Sequence, residues 1–480
     1  MFAQICKHSR LFNKRFLSIR AYSSRQYVGP NLEKVKVLQK NHVAPCHKPI
    51  YQEPLLINSG KMQYLYDANG KCYLDCFGGI VTVSVGHCHP YVVEAVENQL
   101  RKLWHTTVIY MNPSLSLYSQ KLSRKFPGDL NVVYLVNSGS EANDLALLLA
   151  RLSTGNYEMI SLQNCYHGMS YGTMGLTSSS NWRFPIPSVN SGIHHAKNPD
   201  PFNGRHGGRF CRTSPIQTNR NCGCITGECK ATDIYFEELK DIFKYSIPKG
   251  KCAGMIAESI QGVGGTVQFT KGYIKKASEL VRNNGGVFIS DEVQTGFGRL
   301  GDTFWGFESH EIVPDIVTMA KGIGNGFPLA AVITTPKIAE CLTQASHFNT
   351  YGGNPLACAA GLAVLEVIEK EGLQQNSKEV GTYFLKSLEQ LRSVYEVVGD
   401  VRGQGLMIGV EFVESKESRT PLAKEKFQQI WNRTKDYGVL FGCGGFSGNV
   451  LRIKPPMCIS KENVDHAVDA LDKSIKDAGF

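Results

Sequence analysis

Between residues 130 and 335 the chain alternates short apolar runs with longer stretches whose apolar residues recur at helical spacing. The runs at 132–137, 159–164, 254–259, 286–290 and 315–320 predict strands. Strands alternating with helices imply an α/β fold, a mostly parallel sheet flanked by helices. Ligands of such sheets sit beyond the carboxyl ends of the strands, so those edges are where chemistry is expected. The two ends of the chain, 35–85 and 370–480, mix short strands (397–401, 405–412, 450–453) with amphipathic helices. In 461–476, Val464, Ala467, Val468, Leu471 and Ile475 fall on one helical face. The two ends are expected to build one smaller α+β domain, leaving 86–369 as the large domain. Within the latter, 195–235 is dominated by Gly, Arg, Cys and Pro and loses periodicity, which predicts an inserted loop.

With 480 residues, 42% of them hydrophobic, the chain can bury a large core and divide into two domains. No apolar run approaches the roughly 18 residues of a membrane span, so no membrane partner is expected. The net charge is +10, but residues 1–32 hold six basic residues and no acidic one. Without those six the balance falls to +4, too small a surplus to point to nucleic acid. The basic, acid-free start has the composition of a mitochondrial presequence, expected over 1–22 with cleavage after Tyr22 and the matrix as destination. A disordered basic tail is the alternative. Fifteen cysteines in a reducing matrix argue against a disulfide scaffold.

The strand ends carry the candidate chemistry. After 132–137, Ser138 and Glu141 have capping-box spacing, and Gly139 leaves free N–H groups at a helix start, either an ordinary cap or a phosphate cradle. Tyr166 follows the next strand, placed to stack on a flat ring or to plug the core. Asp291 ends an apolar run and needs a partner there. A pyridinium nitrogen, a helix cap or a buried ion pair would each serve, and Gln294 lies within reach of a ring hydroxyl. Lys321 ends 315–320 ahead of three glycines. Exposed to water it would be unremarkable. Desolvated, its amine becomes neutral and can form a Schiff base with a carbonyl. Phosphate cradle, ring stacker, pyridinium partner and imine-forming amine together describe a pyridoxal 5′-phosphate site.

The motifs at 137–143, 166–168, 291–299, 314–328 and 350–355 resemble those of class III aminotransferases, of the pyridoxal-phosphate-dependent transferase fold type I, over everything from about residue 45 onward. The resemblance implies amino-acid and 2-oxo-acid substrates. It makes Lys321 the Schiff-base lysine and proton shuttle, places the cofactor phosphate at Gly139 and Ser140, and stacks Tyr166 on the ring. Thr350 would reach the phosphate of a neighbouring subunit, which implies a homodimer or higher homo-oligomer. Arg452 would clamp the substrate carboxylate in bidentate fashion, and Glu258 would gate an arginine. Family members usually carry proline after that glutamate, and Ser259 here is expected to loosen its placement. The stretches 103–107, 211–217, 303–307 and 398–403 narrow the resemblance toward alanine as donor and glyoxylate as acceptor in a ping-pong cycle. A β- or ω-amino acid with pyruvate is the alternative within the fold, with side-chain selectivity falling to Ile80, Tyr110 and the loop near Arg183. A nucleotide-binding oxidoreductase is the alternative from another class, but Gly322, Gly324 and Gly326 lack the dinucleotide-binding spacing.

Cys211, Cys222, Cys224 and Cys229 crowd into the insert. Structural zinc, packed free thiols and disulfides are all open to them, and no metal is assigned to the catalytic chemistry.

Overall fold

The structure, a computed structural model, describes residues 27–186, 191–224 and 229–480. The expected presequence lies outside the described residues.

Seven strands form the central sheet, in the spatial order Val132–Val136, Ala330–Thr334, Ile316–Met319, Val287–Asp291, Cys252–Glu258, Glu158–Leu162, Ile193–Ala196. The five predicted strands are all here, each boundary within two residues of its expected place. The other two were not foreseen. Ile193–Ala196 is a short edge strand, and Ala330–Thr334 runs antiparallel to both its neighbours while the remaining pairs are parallel. The insert is correspondingly narrower than 195–235. That edge strand ends inside it, and the helix Lys230–Tyr245 begins before its end.

Both faces of the sheet are covered, which is why its strands read as continuous apolar runs. Along Ile316–Met319, Ile316 enters one apolar cluster while Val317 and Met319 enter the other, as side-chain alternation requires. The helix Gly139–Thr154 supplies Leu145, Ala146 and Leu149 to the first of these clusters. Its start is fixed by Ser138, whose hydroxyl accepts the Glu141 N–H at 3.2 Å. The Glu141 carboxylate reaches back to the N–H of Asn137 at 2.8 Å, one residue before the cap. Gly155 closes the helix in the left-handed region, with φ of 65°.

Two four-stranded sheets flank this core. In one, Val439–Leu440 pairs in parallel with Cys72–Asp75, so the two ends of the chain meet in a single sheet. In the other, Val398–Gln404, Met407–Phe412, Val450–Ile453 and Gly442–Gly444 are antiparallel. The final helix, Lys461–Asp477, buries Val464, Ala467, Leu471 and Ile475 as the periodicity predicts. It also buries Ala470 and Ser474, whereas Val468 lies half-exposed at the edge of that face. No described helix is long and apolar enough to cross a membrane.

Candidate active site

Strand register assembles the site. Glu258 pairs with Asp291, and Asp291 with Thr318, across three neighbouring strand ends. Lys321 follows three residues later. One cavity of about 300 Å³ takes in Gly139, Ser140, Tyr166, Glu258, Asp291, Gln294, Lys321 and Arg452. The structure thus brings together every residue predicted to touch cofactor or substrate except Thr350, which is exposed and does not line this cavity; of the selectivity candidates Ile80 lines it, and Tyr110 and Arg183 do not. A larger cleft of about 430 Å³, bordered by Lys197, Asp200, Glu411 and Arg419, contains none of them.

Lys321 has a φ of 52°, a left-handed conformation that a side chain adopts only under constraint. The constraint is visible beside it. The Ser84 hydroxyl donates to the Gly322 carbonyl at 2.7 Å, and Asn325 bridges the Val85 N–H and the Gly86 carbonyl. Desolvation pulls the Lys321 amine down to about 8, an effect that Asp291 and Glu258 oppose and Arg452 reinforces.

Asp291 is buried and wired on several sides. Its Oδ2 accepts from Asn143 Nδ2 at 2.9 Å and from His167 Nδ1 at 2.8 Å, and its Oδ1 accepts the Val293 N–H at 3.1 Å. Thr318 in turn donates to Asn143 Oδ1 at 2.7 Å, orienting that amide. Burial alone would lower the His167 pKa, but Cys165 and the Asp291 carboxylate outweigh it and hold the imidazole well above its ordinary value. The bonds from Asn143 and His167 fix the Asp291 carboxylate at the wall of the cavity, where a cationic ring nitrogen could meet it.

Gln294 Oε1 accepts from Lys454 Nζ at 2.9 Å, which leaves the amide NH₂ for the cavity. Lys454 is fully buried, and desolvation drives its amine well below the usual lysine value. Glu258 accepts the N–H groups of Tyr166 at 3.2 Å and Gly262 at 2.7 Å. Its carboxyl is raised, chiefly by burial. Ser259 does what proline cannot: its hydroxyl donates at 2.7 Å to Glu292. Glu292 also gathers Ser290, Thr295 and the N–H groups of Gly306 and Phe307.

Asn143, His167, Glu292 and Lys454 were not singled out in the sequence. Asn143 and His167 lie inside the quoted motifs, which was their only signal. Lys454 had one too, a lysine two residues from Arg452 in an apolar strand end.

Arg452 is buried, with Nε and Nη2 lacking partners among the described residues. Its Nη1 reaches the Cys443 carbonyl at 3.5 Å, and its guanidinium lies 5.2 Å from the Phe77 ring centroid. Desolvation lowers it to about 10. An unpaired buried guanidinium edge in this cavity calls for an anion.

A family model described as aminotransferase class-III matches residues 47–475. The chain belongs to the class III aminotransferases. This aminotransferase is 50% identical over 95% of its length to mitochondrial alanine–glyoxylate aminotransferase 2 of Homo sapiens, 88% of which is covered. It is 48% identical over 95% of its length to mitochondrial alanine–glyoxylate aminotransferase 2 homolog 2 of Arabidopsis thaliana, of which 90% is covered. It superposes with a TM-score of 0.80, at 28% identity, on an amine transaminase from an uncultivated Pseudomonas species in its PLP-bound form. That match covers 91% of this chain and 98% of the other. As a class III enzyme it is a pyridoxal-phosphate-dependent transaminase, which removes the oxidoreductase alternative.

The residues present fit that cofactor. The helix starting at Gly139 leaves its first N–H groups outside the intrahelical ladder, as a phosphate requires. Gly168 backs the same corner with φ of 132°, and a Cβ there would stand 2.6 Å from Ser140 Oγ. Asp291, Tyr166 and Gln294 then surround the space left for a flat polar ring.

Proposed function

We propose that this transaminase moves the amino group of L-alanine to glyoxylate, giving pyruvate and glycine in a ping-pong cycle. The observation that carries this choice of substrates is the near-full-length identity to relatives bearing that name. When bound, pyridoxal phosphate supplies an electron-withdrawing ring that carries the amino group and stabilises charge developing at the substrate Cα. The chain's own residues do the rest. Gly139 and Ser140 hold the phosphate, Tyr166 stacks on the ring, and Asp291, held in place by Asn143 and His167, faces the ring nitrogen. Gln294, turned by Lys454, donates to the ring hydroxyl. Arg452 binds the carboxylate shared by alanine and glyoxylate, and Lys321 Nζ takes the proton from Cα and returns it during transfer. A second reading, transfer from β- or ω-amino acids to pyruvate, gives Glu258 the task of gating Arg452, with which it shares the cavity. A panel of donors and acceptors with the purified enzyme separates the two: alanine with glyoxylate is expected to give the highest kcat/KM.

The active unit in this proposal is a homodimer in which Thr350 completes the partner's phosphate site. Trp104, Val108, Ile109, Tyr110 and Met111 are all exposed, as are Phe348 and Tyr351. His105 and Tyr351 have ring centroids 5.6 Å apart, so the two stretches adjoin and form the kind of apolar patch that a second copy covers. The destination in this proposal is the mitochondrial matrix. The basic, acid-free start supports it, as does the word mitochondrial in the names of both relatives. N-terminal sequencing of the protein recovered from purified mitochondria tests it, with a chain beginning at Ser23 expected.

A further inference from the structure

The cysteine cluster lies outside the cavity and outside every step above. Cys211 is fully buried, and its Sγ stands 3.5 Å from that of Cys222 and 3.6 Å from that of Cys224. All three sulfurs lie within 4.8 Å of one another, the one such group of potential metal ligands among the described residues. The spacing is too long for a disulfide bond of about 2.0 Å, and all these thiols are free. It is close to the edge of a tetrahedron whose metal–sulfur bonds are about 2.3 Å, which is about 3.8 Å. The fourth cysteine of the insert, Cys229, lies outside that group of three but packs, like Cys222 and Cys224, against the same apolar cluster. Cys229 is the N-cap residue of the helix Lys230–Tyr245, and its backbone carbonyl accepts the Thr232 N–H at 3.1 Å.

We propose that Cys211, Cys222, Cys224 and Cys229 form a closed structural zinc site that clips the insert to the body of the enzyme. Four thiolates select a soft d¹⁰ cation over magnesium, calcium or manganese, and a full set of protein ligands leaves no open position for catalysis. The clip has something to hold. Next to Cys211, the buried Arg212 makes a bidentate pair with Asp400 at 2.7 and 3.0 Å, and Ser214 donates to the Gly403 carbonyl at 3.0 Å. The Cys211 backbone carbonyl accepts the Lys271 N–H at 2.8 Å. Apart from Phe202, Cys211 and Ile216 this stretch gives few side chains to the core, so a metal supplies order that hydrophobic burial does not.

The test is elemental analysis of the wild-type holoenzyme, purified with a thiol reductant and without added metal. About one zinc per chain is expected, released in full when a mercurial titrates the thiols in the presence of a metallochromic dye. Cys222→Ser is expected to lose most of that zinc and to become sensitive to proteolysis within the insert, while its cofactor absorbance and kcat stay close to wild type. Cys46→Ser, an exposed cysteine elsewhere, is expected to keep the full complement. Zinc below about a tenth of an equivalent, iron in its place, or a disulfide within the cluster would overturn the proposal on the wild-type protein alone.

Discussion

Lys321, Asp291 and Arg452 are each an ionisable group that burial makes costly, and the proposed cycle turns that cost to use in each. Lys321 is the clearest case. Its amine, pulled down to about 8 chiefly by desolvation, is protonated below that pH and a nucleophile above it. Recombination of the apoprotein with pyridoxal phosphate should therefore speed up as pH rises through about 8 and level off beyond it. Stopped-flow absorbance across a pH series checks this; a rate still climbing beyond about pH 10, where an ordinary lysine titrates, would show the amine to be unperturbed. Arg452→Lys should raise KM for alanine and glyoxylate together by roughly 30- to 150-fold, about 2–3 kcal/mol, because an ammonium cannot make the bidentate pair. Steady-state kinetics on both half-reactions decide it, and an effect on only one substrate would remove Arg452 as the shared clamp. Lys321 and Asp291 were legible because each is a polar group ending an apolar strand, whereas Arg452 was reached through the family resemblance. The roles of Lys454 and Glu292 were not legible, since they lie in partners, Gln294 at 2.9 Å and Ser259 at 2.7 Å, that only the fold brings near.

The elements that could be read were those whose burial is complete. Cys252–Glu258 and Ile316–Met319 are covered on both faces and so carry an unbroken apolar signal. Ile193–Ala196 is a half-buried edge with two histidines, and Ala330–Thr334 begins with two alanines, which favour strands weakly. Register was beyond the sequence altogether, although it is what sets Glu258 beside Asp291. The turn at Gly168 shows how tightly these strand ends are drawn together. With φ of 132°, and a Cβ that would meet Thr173 Oγ1 at 2.5 Å as well as Ser140 Oγ at 2.6 Å, the position admits only glycine. Gly168→Ala should lower stability by about 1–3 kcal/mol and weaken cofactor affinity through Ser140, whereas Ala substitution at Gly128, with open space around it, should leave affinity unchanged. Thermal melts and cofactor titration measure the two effects.

For the molecule as a whole, the proposed sharing of sites between subunits has its own consequence. Thr350 is exposed on one chain and does not line that chain's cavity. Thr350→Asp, which sets a negative charge against the partner's phosphate, and Lys321→Ala should each be inactive as pure homodimers. Refolded together, their hybrid carries one intact site, and about a quarter of wild-type activity should return if subunits pair at random; no recovery would mean that Thr350 does not act across the interface. The central claim, that Lys321 drives alanine–glyoxylate transamination, is tested most directly by glycine formation from alanine and glyoxylate. Wild type and Lys321→Ala are compared at equal protein concentration, with melting curves confirming the fold of both. Wild type should turn over steadily, and the variant should be folded but slower by roughly ten-thousand-fold. A variant within tenfold of wild type, or a wild-type enzyme that ignores this substrate pair, would contradict the account.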